Sequence, residues 1–375
     1  MRIGISCYPT YGGSGIVATE LAMALAEGGD EVHVISYALP SRLSFTNPRI
    51  FFHEVVTPTY PLFDNYPPFS LALSTKMVEV ARHAPLDVLH VHYAIPNAVS
   101  AVMARQILAP QALPVVTTLH GTDVTLVGND PNYLETTRWG ILQSDAVTAV
   151  SESLRRTTVE QLGVHSEIEV VPNFIDPARY EAAKAGPGAR RWAKPGERIL
   201  VHISNFRPVK RVLDVISIFQ RVQEKVPSRL ILVGDGPERG KVEQYCREHH
   251  ICGAITFIGS FPLVEEVLVG ADLFLLPSES ESFGLSALEA MGCEVPVVAS
   301  NAGGLPEVVV DGETGFLFPV GDVDGMAAAA LKLLTDDDLH RRFGVAGRRR
   351  AVEKFGQETV VQRYRSIYQR LTQLP

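Results

Sequence analysis

The sequence predicts an α/β protein made of two doubly wound, parallel-sheet domains that face each other across a cleft. Three observations carry that expectation. Short β-branched runs alternate with helix-length patterns from the first residues, the signature of βαβ units with both sheet faces covered. The alternation restarts after a break near residues 172–176. The chain is 375 residues long, more than one hydrophobic core ordinarily serves.

In the front half, strands are predicted over 3–7, 31–36, 88–92, 115–119, 146–150 and 169–171. A helix over 15–27 separates the first two and ends at Gly28-Gly29, a plausible C-cap. The join at Pro172-Asn173-Phe174-Ile175-Asp176 gives a first domain over 1–172 and a second over 173–358. The second domain has predicted strands over 199–204, 229–233, 255–258, 273–276 and 297–299, with helices over 212–225, 240–249 and 263–269. Residues 185–196, rich in Gly, Pro, Ala and Arg, read as a surface loop. The tail, 359–375, carries a helical pattern expected to return to the first domain. Strand C-terminal ends, where open α/β sheets bind ligands, then lie on the facing surfaces.

Composition narrows the function. Apolar residues make up 46% and charged residues 20%, so the chain is globular. A net charge of −8 argues against general nucleic-acid binding and gives no support for docking on anionic lipid. No apolar run approaches the roughly 18 residues of a membrane span. The opening MRIGISCY reads as a strand and not as a secretory leader, so a cytoplasmic protein without membrane insertion is expected. Cys7, Cys246, Cys252 and Cys293 lack zinc-site spacing.

Four segments carry chemistry. Gly12-Gly13-Ser14-Gly15 joins the first strand to the first helix, where tight backbone and free N–H groups suit an anion. The G-x-G-x-x-A match there lacks the acidic residue that a dinucleotide ribose needs, because the second strand ends Ile35-Ser36-Tyr37. The second segment, 278–291, reads SESESFGLSALEAM. Pro277 ends the preceding strand, a helix is predicted from near Phe283, and Glu281 and Glu289 flank its start. Eight helical steps span roughly 12 Å, comparable to the reach from a ribose to a hexose across a diphosphate. The N–H groups of Phe283, Gly284 and Leu285 are then open to a phosphate. Third, Ser204-Asn205-Phe206-Arg207-Pro208-Val209-Lys210-Arg211 follows a strand and offers Lys210 as a point charge. Fourth, PVVTTLHGTD ends a strand at His120.

Several other features have plainer readings. His90 and His92 share one face of a strand, where burial or hydrogen bonding is expected ahead of metal binding. Asp322-Val323-Asp324 matches D-x-D but precedes an Ala-rich helix and reads as its cap. Asp336-Asp337-Asp338 reads as a solvated helix start, and Arg348-Arg349-Arg350 as an exposed helix face.

The Glu281/Glu289 spacing, after a strand and around Phe283-Gly284-Leu285, resembles the E-x7-E motif of retaining, nucleotide-sugar-dependent glycosyltransferases of the GT-B fold, which has two Rossmann-like domains. The resemblance implies that Glu289 holds the donor ribose and that Glu281 contacts the donor hexose. It implies a donor set of Gly15, Asn205, Lys210, Glu281, Phe283, Gly284, Leu285 and Glu289, and catalytic roles for His120, Glu281 and Lys210. Turns 232–237 and 257–259 lie near the nucleotide base in such relatives. That family usually has Arg five residues before the lysine, where this chain has Asn205; Arg207 is the candidate for the missing charge. CYPTYGGSGIVATELA, FFHEV, YPLFDNYPPFSLALSTKM, LDVLHVHYAIPNA, TTLHGTD and SNFRPVKR are similar to the N-acetylglucosaminyl–malate synthases that open bacillithiol biosynthesis, and Asn205 follows that subgroup. This implies UDP-GlcNAc as donor, L-malate as acceptor, and no metal or other cofactor. Ser14, Tyr93 and Thr118 are candidate acceptor ligands, with Lys76 and Arg138 as the nearest charges by motif context. The alternatives are another sugar donor, a lipid or glycan acceptor, a UDP-GlcNAc 2-epimerase, or a nucleotide-sugar sensor. A homo-oligomer is left open.

Overall fold

The computed structural model describes residues 1–9, 12–57 and 68–373. Among the segments that carry the family resemblance, Thr10, Tyr11 and 60–67 lie outside the described residues. The chain forms two compact units, one of Met1–Pro172 with Glu358–Pro375 and one of Asn173–Gln357.

The first unit holds a parallel sheet of β1 (Arg2–Ser6), β2 (Glu31–Ser36), β3 (Ile50–Glu54), β4 (Val88–His92), β5 (Val115–Leu119), β6 (Ala146–Ala149) and β7 (Glu169–Val170). Its order is β3-β2-β1-β4-β5-β6-β7. Strands β4 and β5 are buried along their whole length, which is why they read as near-continuous apolar or β-branched runs. β3 was not expected from sequence. It is an edge strand with only Ile50 buried, so the strand signal is weak there. Helices Phe69–His83 and Val99–Leu108 bury Leu73, Met77, Val80, Ala101 and Ala104 against Leu89, Val91 and Val115.

The last helix, Gln357–Thr372, closes this unit. Val360, Val361, Tyr364, Ile367, Tyr368 and Leu371 form a buried stripe at helical spacing. The Tyr368 hydroxyl lies 2.7 Å from His90 Nδ1. Arg365 donates to Asp30 at 3.0 Å, and the Met1 ammonium reaches the same carboxylate at 2.8 Å.

The second unit repeats the plan with β8 (Arg198–Ile203), β9 (Ser228–Val233), β10 (Ile255–Gly259), β11 (Leu273–Leu276), β12 (Val297–Ser300) and β13 (Gly315–Phe318), in the order β10-β9-β8-β11-β12-β13. β13 was also unanticipated: it is four residues long, begins with Gly315 and buries only that residue. Helix Val212–Gln223 buries Val212, Val215, Ile216, Phe219 and Val222 on Leu200, Leu232 and Leu275. The helix expected over 263–269 is a single turn, Glu265–Leu268.

Asp322 caps helix Val323–Thr335 by accepting from the Gly325 N–H at 2.9 Å. Asp336 caps helix Asp337–Phe355 through the Leu339 N–H, also at 2.9 Å. The arginine run is not a plain exposed face. Arg348 donates to the Gly292 carbonyl, and Arg350 to the carbonyls of Val308 and Glu307 at 2.8 and 2.7 Å. Both satisfy orphan C=O groups at helix C-termini.

Strand order reverses between β1 and β4, and again between β8 and β11. Neighbouring strands there send their crossovers in opposite directions, which opens a crevice at the C-terminal ends. No helix of the described residues is long and apolar enough to cross a membrane.

Candidate functional site

At the β8/β11 reversal, the loops after the two strands meet. The Glu279 N–H donates to the Val209 carbonyl at 2.8 Å, which ties the loops together. Lys210 ends a short turn over Pro208–Lys210. Its ammonium donates to Glu281 Oε1 at 2.7 Å. The buried Ser278 hydroxyl donates to the same oxygen at 2.8 Å. The two charged side chains are only 19% and 11% exposed, so solvent screens this pair weakly. An ammonium has three protons, so the bond to Glu281 leaves donors for a second anion. His202 lies under the loop, with Nδ1 on the Leu275 carbonyl and Nε2 on Ser204 Oγ, both at 2.8 Å. Burial lowers its pKa to about 4, so it stays neutral beside Lys210.

The helix after Glu281 begins at Leu285, two residues later than expected. No side chain caps it, because Gly284 is the N-cap in a left-handed conformation with φ 98°. A Cβ there would also sit 2.5 Å from Leu305 Cδ2. The first intrahelical bond is Leu288 N–H to Gly284 C=O at 3.1 Å. The amides of Leu285, Ser286 and Ala287 are therefore free of helical partners, which adds Ser286 and Ala287 to the expected set that already held Leu285. Phe283 contributes a buried ring that packs edge-on against Phe355 at 5.6 Å. Glu289 lies in the second turn, about 6 Å of rise past Leu285, so the eight-step helical estimate does not apply. It is 5% exposed, unlike a solvated surface glutamate.

The backbone of Glu281 is also held. Its carbonyl accepts from the Gly304 N–H at 2.8 Å. Gly303, at φ 56°, lies so close that a Cβ would fall 1.9 Å from that carbonyl oxygen. The glycine turns pack on the basic loop as well: Gly234 N–H donates to Gly259 C=O at 2.7 Å, and Glu238 N–H to Phe206 C=O at 2.9 Å. Asn205 is exposed. Arg207 makes no ion pair among the described residues.

In the first unit, the β1/β4 reversal gathers a second set. Helix Gly13–Glu27 begins two residues earlier than expected, and its first internal bond is Ile16 N–H to Gly12 C=O at 3.2 Å. Ser14 is half-buried at that helix start. Gly15 is buried, and its carbonyl accepts from Thr19 Oγ1 at 2.7 Å. After β4, Tyr93 has φ 83°. Its ring meets Tyr8 edge-on at 5.2 Å and stacks on His120 at 5.5 Å. Burial, with the neighbouring Tyr93, Tyr37 and Asp123, raises the Tyr8 pKa to about 12. His120 Nε2 lies 2.8 Å from His92 Nδ1. Burial lowers the His120 pKa to about 3. The buried Asp123 carboxylate accepts from the N–H groups of His120, Gly121 and Ala94 at 3.1, 2.8 and 3.0 Å. Burial pushes its pKa up and these three bonds pull it back.

Residues 11–179 match the family model "Glycosyltransferase Family 4", and residues 189–350 match "Glycosyl transferases group 1". The chain is 47% identical to the N-acetyl-alpha-D-glucosaminyl L-malate synthase of Bacillus anthracis over 98% of this chain and 96% of that protein. The chain belongs to the glycosyltransferase family. It is also 31% identical to a glycogen synthase of Mycobacterium tuberculosis over 68% of this chain and 63% of that enzyme. Sucrose-phosphate synthase from Thermosynechococcus elongatus superposes with a TM-score of 0.81 at 21% identity over 99% of both chains. Anabaena HepE, crystallised with UDP and glucose, superposes with a TM-score of 0.79 at 20% identity over 100% of both. These two likenesses establish the GT-B fold.

Within this glycosyltransferase, the structure brings together Lys210, Glu281, Gly284 and Leu285 in one unit, and Tyr93 and His120 in the other. Thr118 does not join them. Its hydroxyl is fully buried, 2.7 Å from His90 Nε2 and 2.6 Å from Thr148 Oγ1, beneath the last helix. Lys76 pairs with Glu79 on its own helix at 2.7 Å, and Arg138 is exposed. Ser278, Gly303 and Asp123 escaped the sequence reading. Ser278 and Asp123 stand three residues from Glu281 and His120, so a search for short polar neighbours of each candidate would have found them. Among the described residues, no group of three or more His, Cys, Asp or Glu side chains is arranged to hold a metal ion.

Proposed function

We propose that this glycosyltransferase moves N-acetylglucosamine from UDP-GlcNAc to the hydroxyl of L-malate, with the α configuration retained and without a metal, as the first step of bacillithiol biosynthesis. The carrying observation is the Lys210–Glu281 pair at 2.7 Å, beside the uncapped start of helix Leu285–Gly292. A diphosphate bound there meets an ammonium with spare donors and the free amides of Leu285, Ser286 and Ala287. These groups stabilise the negative charge that UDP gathers as it leaves. Glu281, fixed by Ser278, Lys210 and the Gly304 amide, is oriented toward the donor hexose. Glu289 takes the ribose. Asn205 hydrogen-bonds the phosphates without neutralising them. The malate hydroxyl attacks from the face that UDP leaves, and a phosphate oxygen takes its proton.

In the first unit, the helix start at Ser14 and the Tyr93 ring serve the acceptor, a dicarboxylate that needs hydrogen-bond donors. His120 contacts the donor sugar. The 47% identity to the N-acetyl-alpha-D-glucosaminyl L-malate synthase of Bacillus anthracis supports N-acetylglucosamine as the transferred sugar and L-malate as the acceptor. The test is UDP release from UDP-GlcNAc with and without L-malate, in the presence of EDTA, with the product anomer read by NMR. Malate-dependent release and an α product are expected. Absence of malate-dependent release rejects the acceptor, a β product rejects retention, and loss of activity in EDTA rejects metal independence.

A further inference from the structure

We propose that His92 is a positioning residue that donates its Nδ1–H to His120 Nε2 and so holds the His120 proton on Nδ1. The inference rests on the reading of His120 as a donor-sugar contact. It starts from proton bookkeeping in two rings 2.8 Å apart. A neutral imidazole has one N–H and one acceptor nitrogen, so this bond can run in only two directions. His92 Nε2 decides between them, because it is buried and has no hydrogen-bond partner among the described residues. If His120 donated, His92 would carry its proton on Nε2 and seal an N–H away from any acceptor. If His92 donates, only a lone pair is left unpartnered. Buried orphan N–H groups are the rarer and costlier of the two. The proton on His92 therefore sits on Nδ1, and His120 accepts.

The His120 proton is then on Nδ1, which no described residue engages. The ring cannot swivel away from this arrangement. Tyr93 stacks on it at 5.5 Å, and Asp123 holds its backbone N–H at 3.1 Å. Nor can His90 re-protonate the pair, since both its nitrogens are engaged, with Tyr368 and Thr118 at 2.7 Å each. Burial depresses the pKa of all three imidazoles, so the column stays neutral. His120 thereby presents a fixed N–H dipole to an oxygen of the nucleotide sugar, and it is neither a cation nor a general base.

Two readouts test this. In the unmodified protein carrying 15N-histidine, His120, assigned by loss of its signals in His120→Ala, is expected to show a protonated Nδ1 and a bare Nε2. A protonated Nε2 overturns the inference, and no variant of His92 is needed to see it. Among variants, His92→Phe keeps a ring without a donor and is expected to lose on the order of tenfold to a hundredfold in kcat, with KM for UDP-GlcNAc changing less. His92→Asn places an amide N–H near the lost Nδ1–H and is expected to recover most of that loss. A folded His92→Phe protein with unchanged kcat, alongside an inactive His120→Ala, overturns the positioning role and leaves the reading of His120 standing. A fully active His120→Ala removes that reading and the positioning role with it.

Discussion

Lys210 and Glu281 show how one short contact sets the behaviour of a site. Their 2.7 Å bond is mostly shielded from water, and each also faces a ligand in the proposed reaction. Lys210→Ala is expected to lower transfer on the order of a hundredfold or more and, by leaving the shielded Glu281 carboxylate without its cation, to lower the melting temperature as well; steady-state UDP release and a thermal scan check both halves. His90 gives a pH signature. It is fully buried, and its pKa falls from the ordinary 6.5 to about 3. Below pH 6.5 the unfolded chain takes up a proton that the folded chain refuses. The stabilisation is complete above that value and is lost as pH falls toward the folded pKa. From pH 7 to 5.5, His90 alone is expected to cost about 1 kcal/mol of stability, measurable by urea unfolding at the two values. Tyr368→Phe removes the hydroxyl from His90 Nδ1 and is expected to cost roughly 1–2 kcal/mol in the same assay.

Two elements deserve prediction as units. The turn into helix Leu285–Gly292 depends on Gly284, whose φ of 98° and closeness to Leu305 exclude a side chain. Gly284→Ala is expected to cost roughly 1–3 kcal/mol and to depress transfer further than stability alone explains, because it turns the amides of 285–287 away from their ligand. Circular dichroism melts and kcat/KM together separate the two effects. The last helix is the second unit of prediction. Truncation before Gln357 removes Tyr364, Ile367 and Tyr368 from the first core and uncovers His90 and Thr118. The truncated chain is expected to aggregate, read by size-exclusion chromatography.

The whole chain is two parallel sheets with the same reversal of strand order, and each reversal gathers a different chemistry. β8 and β11 bring a cation, a carboxylate and a helix start together. β1 and β4 bring aromatic rings, a neutral histidine and another helix start. UDP alone is therefore expected to slow amide exchange over 204–211 and 278–289 and to leave the first unit's sheet unchanged, checked by hydrogen–deuterium exchange. Protection confined to the first unit would assign the nucleotide to the other sheet.

Most of this architecture could be read in the chain because buried parallel strands need continuous apolar runs and their crossovers need helices of regular period. The nine interior strands announce themselves that way; of the four edge strands, which bury little, β7 and β10 still left a local signal and β3 and β13 did not. The E-x7-E spacing and the basic loop were visible for the same reason: a helix start and a strand end have local signatures. Tertiary packing alone decided the rest. Leu305 and the backbone of Gly303 and Gly304 set where the helix after Glu281 begins. Ser278 became part of the site through a fold in its own loop. Thr118 turned inward because residues 246 and 250 positions further on, Tyr364 and Tyr368, pack over the face it shares with His90. Local sequence specifies what a backbone segment prefers; which neighbour occupies a side chain's remaining hydrogen bonds depends on segments hundreds of residues away.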